Sequence, residues 1–338
     1  MLERRISMNI LLKPGKLLDD SANLISAGFA FDLVKQYRKS EILLVNRLKE
    51  INKYFILSNK FALALTLSSS YNDTFVSIDF IDFEKNITYS KSKVKLFGKG
   101  KVVMTPSSKI GSIEFVKDDV GVEIYNDYTE RKIIFSMKDI KDKEDFYLLA
   151  NLSETTNGTS VVACPFDKEQ EFLYNQKINC IKVNGYVNIG VNHYDFDEST
   201  RASIDWIRGV YPKGVTKYNY ACISTLQDGI EVGLTLVDKL GNTKYATPNM
   251  FFYDMHAFKL NEVRFREEYD HLHIDSIDGL VDLVFVETNS IEDSVSCMYE
   301  KVNRKIRFGK YNGYVMFDEE RIEIKDLFGF IEVNDNTY

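Results

Sequence analysis

The chain has 338 residues, a net charge of −7 at pH 7 and an apolar fraction of 44%. That length suits two domains of ordinary size, and the apolar content excludes a disordered chain. The negative charge argues against nucleic acid and anionic membrane as partners.

From the amino terminus, Met1 to Leu18 mixes Arg4, Arg5, Lys13 and Lys16 with short apolar runs. It lacks the apolar core of a signal peptide, and no segment is long enough to span a bilayer, so a cytoplasmic protein is expected. Glu41 to Tyr54 places Leu44, Leu48 and Ile51 at helical spacing but runs into Tyr54-Phe55-Ile56-Leu57. A strand entry with a short helix is expected there. Phe75 to Phe83 is β-branched and aromatic, the composition of a strand. Gly98 and Lys99-Gly100-Lys101 form a turn too short to cradle a phosphate. Gly121 to Tyr125 alternates, turns at Asn126-Asp127 and resumes near Lys132-Ile133-Ile134-Phe135. Ile178 to Val191 reads as two strands about an Asn184-Gly185 hairpin. Gln227-Asp228-Gly229 separates Asn219–Ser224 from Glu231–Val237, and Asp278-Gly279 separates His271–Ile277 from Leu280–Val286. Ile306–Phe308, Gly313–Phe317 and Arg321–Ile324 continue the meander. The basic stretch from Arg304 to Lys310 reads as the wet face of a strand.

Turns about every 8–12 residues predict an all-β protein of two antiparallel barrel or sandwich domains packed together. The polar segment Asn151 to Gly158 places their boundary at 157/158, giving domains 1–157 and 158–338. The four cysteines, Cys164, Cys180, Cys222 and Cys297, form no CxxC pair. His271 and His273 share a strand face, but no third ligand is evident beside them, and His256 or Asp275 would have to approach through folding. His193 reads as a surface turn or an acid–base residue at a strand end. With no Gly-rich phosphate loop, nucleophile elbow or H-E-x-x-H motif, neither metal nor cofactor is expected.

The densest constellation is Ala202-Ser203-Ile204-Asp205-Trp206-Ile207-Arg208-Gly209-Val210-Tyr211-Pro212, which holds the only tryptophan. Asp205 and Arg208 would be neighbours on a helical turn and face opposite ways on a strand. They read either as a proton-transfer pair or as a structural tie. Trp206 reads as core packing or as a platform for a ligand. Gly209 and Pro212 read as turn residues. Tyr218 and Tyr220 share a face if extended, and with Tyr211 they would wall a flat apolar ligand or pack against a neighbouring domain.

This corner resembles the family known as domain of unknown function 2804. Pro14-Gly15-Lys16-Leu17-Leu18, the Lys49…Tyr54 segment, Val232-Gly233-Leu234, Asn249, Phe308-Gly309…Gly313 and Gly329-Phe330-Ile331-Glu332 extend the resemblance from about residue 11 to the end. Ile207 stands where the family carries Gly. Tyr211, Tyr218 and Tyr220 stand where it carries Trp, and Leu272-His273 and Pro248 also depart from its pattern. More distantly, the family is calycin-like, similar to the two-barrel, lipocalin-type group of hydroxyneurosporene synthase, kievitone hydratase and the AttH-type proteins, which implies two lipocalin- or calycin-like domains. That likeness implies a cofactor-free lyase or isomerase, a hydratase, dehydratase or cyclase acting on an apolar small molecule. Asp205 would move the proton, Arg208 would orient it, Tyr211, Tyr218, Tyr220 and Trp206 would line the pocket, and Asn249 would hydrogen-bond the substrate. The alternatives are a carrier for a lipid- or isoprenoid-like ligand and a protein that docks a partner.

Overall fold

The computed structural model describes residues 9–71, 73–96, 102–296 and 301–337. The expected Gly98–Lys101 turn, Asn72, Cys297 and the first eight residues lie outside these. Among the described residues there is no α-helix, and strands make up most of the chain. The Glu41–Tyr54 segment opens with 3-10 turns at Lys39–Glu41 and Val45–Arg47, then becomes strand Leu48–Leu57.

Two antiparallel sheets curl into partial barrels. The first runs, neighbour to neighbour, Ile87–Leu96, Asp73–Asp82, Phe61–Ser70, Leu48–Leu57, Arg201–Val210, Phe172–Ile189, Glu144–Ser153, Glu130–Lys141, Val120–Asp127 and Ile110–Lys117. The second runs His256–Lys259, Met250–Tyr253, Ile230–Asp238, Val215–Gln227, Glu320–Thr337, Lys301–Phe317, Val281–Ser296, Leu272–Ser276 and Val263–Glu267. The chain passes from one sheet to the other between Val210 and Val215, so Ser160–Pro165, Phe172–Ile189 and Arg201–Val210 all belong to the first. The sheets therefore divide some fifty residues after the polar segment expected to mark the boundary at 157/158.

Alternation along the strands separates the three largest cores among the described residues. Ile56, Leu65, Ile78, Phe80, Phe135 and Leu148 fill the first barrel. Leu234, Phe251, Leu283, Phe285, Val315 and Ile331 fill the second. A third core joins the outer face of one sheet to the facing side of the other. Phe55 stacks on Phe330 at 4.3 Å, and Phe83 meets Phe328 at 4.8 Å.

The expected hairpin at Asn184-Gly185 is absent. Phe172–Ile189 is one strand, and Gly185 pairs with Ala150 across the sheet. A Cβ on Gly185 would lie 2.0 Å from the Leu149 carbonyl oxygen, at φ +134°, so glycine here serves close backbone approach. Ile306–Phe308 and Gly313–Phe317 are likewise one strand, Lys301–Phe317. The hairpins about Asp228-Gly229 and Asp278-Gly279 form as expected.

The tryptophan corner is also a strand as far as Val210. Gly209 is not a turn residue: a Cβ there would sit 2.5 Å from the Phe172 carbonyl oxygen of the neighbouring strand. Pro212 does lie in the link between the sheets. Trp206 is fully buried between Tyr37 and Tyr174, at 6.1 and 5.7 Å between ring centres. The amino-terminal segment supplies Leu12, Leu17, Leu18 and Ile42 to the same cluster. Its indole N–H has no partner. Trp206→Phe therefore loses packing volume and no hydrogen bond, and a urea melt should show a loss of only about 1–2 kcal/mol.

Candidate functional site

Residues alternate across the inter-sheet face to make two facing polar rows. On the first sheet, strand pairing sets Lys177, Asp205, Lys53 and Thr66 side by side. On the second it sets Tyr218, Asn334, Arg304 and Asp293 side by side. Direct cross-strand neighbours lie about 4.5–5.5 Å apart at Cβ, so each row behaves as a connected polar ladder.

The rows are tied by charge. Lys53 donates to both carboxylate oxygens of Glu332 at 2.7 and 2.8 Å, crossing from sheet to sheet. Arg304 crosses the other way to Asp79, with a second bond to Thr66 at 3.1 Å. Burial alone would push the Glu332 carboxyl up, but Lys53 and Arg304 outweigh it and hold it below the usual glutamate range. The stability this contributes is fully present above the ordinary glutamate value of about 4.3. It is lost as pH falls below that value through the lower native one. Acid-unfolding curves should therefore steepen below about pH 4.3, and Glu332→Gln should start from a lower plateau and be flatter there.

Around this frame the sheets part into a narrow cleft of about 80 Å³. One wall carries Lys49, Ile51, Lys53, Thr66, Ser68, Asp73 and Phe75. The other carries Tyr211, Tyr218, Asp293, Val302, Arg304, Asn334 and Asn336. Asp293 stands 3.8 Å from the Arg304 guanidinium and is half-buried. Burial raises its carboxyl above the usual aspartate range, Arg304 pulls the other way, and Asp79 adds to the rise.

The residues singled out in the sequence separate. Tyr211 and Tyr218 line the cleft. Tyr220 lies beneath it, fully buried, with the Lys177 ammonium 3.7 Å above its ring centre. Asp205 is also below the cleft. One oxygen takes a 2.6 Å contact from Lys177, and the other accepts from Asn175 at 2.6 Å. Arg208 does not meet Asp205, because three residues along a strand reverse the face. It stacks on Trp206 at 4.2 Å and donates to Thr105 O at 2.8 Å and Asn52 Oδ1 at 3.1 Å. Glu50 lies 3.7 Å away, and burial brings the guanidinium pKa down to about 10. Trp206 is thus packed away from the cleft. Asn249 is a structural tie in the second barrel, accepting from Val237 N at 2.7 Å and donating to Asn261 O at 2.8 Å.

The histidines lie elsewhere. His271 and His273 both approach Glu268, His273 also binds Asp282 at 2.7 Å, and His193 bonds Asn188 and Asp195 at the surface. Among the described residues, no group of three His, Cys, Asp or Glu is placed to hold a metal, and no helix is long and apolar enough to cross a membrane.

Sequence reasoning missed Lys53, Asp293, Arg304 and Asn334. Arg304 was legible: Arg304, Ile306 and Phe308 form one alternating face, so the arginine points inward with them while Lys305 is more exposed. Lys53 and Glu332 lay within segments already singled out, but nothing local pairs residues 279 positions apart.

A family model described as domain of unknown function (DUF2804) matches residues 9–338. The chain belongs to the DUF2804 family. The fold of this DUF2804 chain is similar to that of an AttH protein from Nitrosomonas europaea, with TM-score 0.50 and 10% identity over 85% of this chain and 92% of that one. It is also similar to CghA, with TM-score 0.45 and 9% identity over 96% and 97%. Kievitone hydratase from Nectria haematococca gives TM-score 0.45 and 7% identity over 94% and 98%. At these identities the likeness is one of fold. No curated protein matches the sequence.

Proposed function

We propose that this DUF2804 protein is a cofactor-independent lyase or isomerase that transfers a proton at carbon on a largely apolar small molecule held in the inter-sheet cleft. The observation that carries this is Asp293. It is a half-buried carboxylate with a raised pKa beside Arg304, on a wall shared with Tyr211 and Tyr218. Ile51, Phe75, Val302 and the tyrosine rings suit an apolar body. Asp293 takes a proton from carbon. It returns that proton to a second carbon in an isomerisation, or passes it to a departing hydroxyl, which leaves as water, in a dehydration; hydration is the reverse. Asp205, both oxygens occupied and sealed beneath the cleft, is assigned the structural role.

The apolar walls equally suit a carrier, and the two readings part on turnover. Native mass spectrometry of protein purified without added ligand should reveal a bound apolar small molecule. Returned to the protein in D2O, that molecule should gain deuterium at carbon, followed by NMR. Recovery without exchange would leave the carrier reading in its place.

A further inference from the structure

Asn334 is 3% exposed and lines the cleft, yet its side-chain Nδ2 has no hydrogen-bond partner. A buried amide N–H2 left unpaired costs free energy, and such groups in native proteins are uncommon. The neighbours of Asn334 show which end of the amide is left over. Arg304 is its direct cross-strand partner, and Lys53 is held to Glu332 two residues before it on the same face. Both can only donate, so they suit the amide oxygen and leave the N–H2 group for something that accepts. Asn334 also sits between Tyr218 and Arg304, and Asp293 follows Arg304 in the same row. An acceptor atom held at Asn334 would thus lie beside Lys53 and Arg304, each paired with a buried carboxylate, and one residue removed from Asp293.

We propose that Asn334 is the oxygen-recognising donor of the cleft, and that the molecule fitting there carries a carbonyl or enolate oxygen on its apolar body. This rests on the reading of the cleft as a site of proton transfer at carbon, and deepens it. Removing a proton from the carbon beside a carbonyl places negative charge on that oxygen. Asn334, Lys53 and Arg304 would then face the charge as it develops. The proton goes to Asp293, the electron pair of the C–H bond becomes the enolate, and return of the proton restores the carbonyl.

The test uses two isosteric probes, 2-acetylnaphthalene and 2-isopropenylnaphthalene, which differ in a carbonyl oxygen against a methylene. Dissociation constants from ligand-observed NMR titration should favour the ketone by about tenfold in wild type. Asn334→Leu should abolish that preference while leaving hydrocarbon affinity and the melting temperature unchanged or higher, since it removes an unpaired polar group. Asn334→Gln should recover part of it. Equal affinity of the two probes for wild type, displaced together by Tyr218→Ala, would overturn the oxygen-recognition proposal and leave the apolar-cleft reading standing. Binding of neither probe would overturn both. A ketone preference that survives in Asn334→Leu would also overturn it, because the oxygen would then be read elsewhere.

Discussion

Asp205→Asn is expected to lower the stability of the protein by about 3–5 kcal/mol, the usual cost of breaking a buried pair by removing one partner. Lys177 and Asp205 are each only 2% exposed, and their charged atoms are 2.6 Å apart. The substitution keeps the shape and leaves an ammonium over the Tyr220 ring with no carboxylate beside it. Burial already draws the Lys177 pKa downward, with Asp205 holding against it. In the variant burial and Lys53 pull downward against Glu332 alone, so native Lys177 gives up its proton at lower pH than unfolded Lys177 does. The unfolded state then binds more protons, and stability rises with pH. The deficit relative to wild type, read from urea midpoints, should therefore shrink as pH is raised from 6 towards 10. Lys177→Met in the same background should restore most of the loss. An unchanged midpoint at neutral pH would show that the pair carries no weight in the fold.

Asp293→Asn carries the second large effect, on turnover. General acid–base catalysis by a placed side chain is worth about 10²–10⁴-fold, and the rate with the captured molecule should fall by that factor. The melting temperature should barely move, because Asp293 is half-buried and Arg304 keeps its bond to Asp79. The carboxylate must be ionised to accept a proton. Wild-type turnover should therefore fail on the acid side at a pH above the ordinary aspartate value of about 3.9, since burial has raised this group. Full activity in Asp293→Asn would exclude it as the proton acceptor.

Much of the architecture was legible from turn dipeptides and alternation. Asp228-Gly229 and Asp278-Gly279 end strands because a tight hairpin needs positive φ, and both residues of the first pair and the glycine of the second adopt it. Asn184-Gly185 carries the same signature and does not turn. There the glycine answers to the Leu149 carbonyl on another strand, information no local window contains. The candidate site shows the same division. That Tyr218 and Tyr220 share a face followed from their spacing, and that Asp205 and Arg208 do not meet followed once the segment was known to be a strand. The partner of Asp205 could not be read, because Lys177 reaches it through sheet register. Arg304 differs again: its alternation with Ile306 and Phe308 points it inward, while four basic residues in seven read as a solvent-facing strand.

Strand Arg201–Val210 lies between Leu48–Leu57 and Phe172–Ile189. On the ribosome this order means delay. The run Tyr54-Phe55-Ile56-Leu57 emerges early and must wait for residues 201–204 before that edge is paired. At a synthesis rate of about 5–20 residues per second, the wait lasts about 7–30 seconds. During it an apolar strand edge stands open, the kind of surface that invites aggregation or a holding chaperone. A nascent chain released at residue 157 would carry eight of the ten principal strands of the first sheet's path, ending at Ser153, without the two that join its halves. The first barrel is therefore completed only once Arg201–Val210 has been made, and its folding is tied to the pace of translation across that interval.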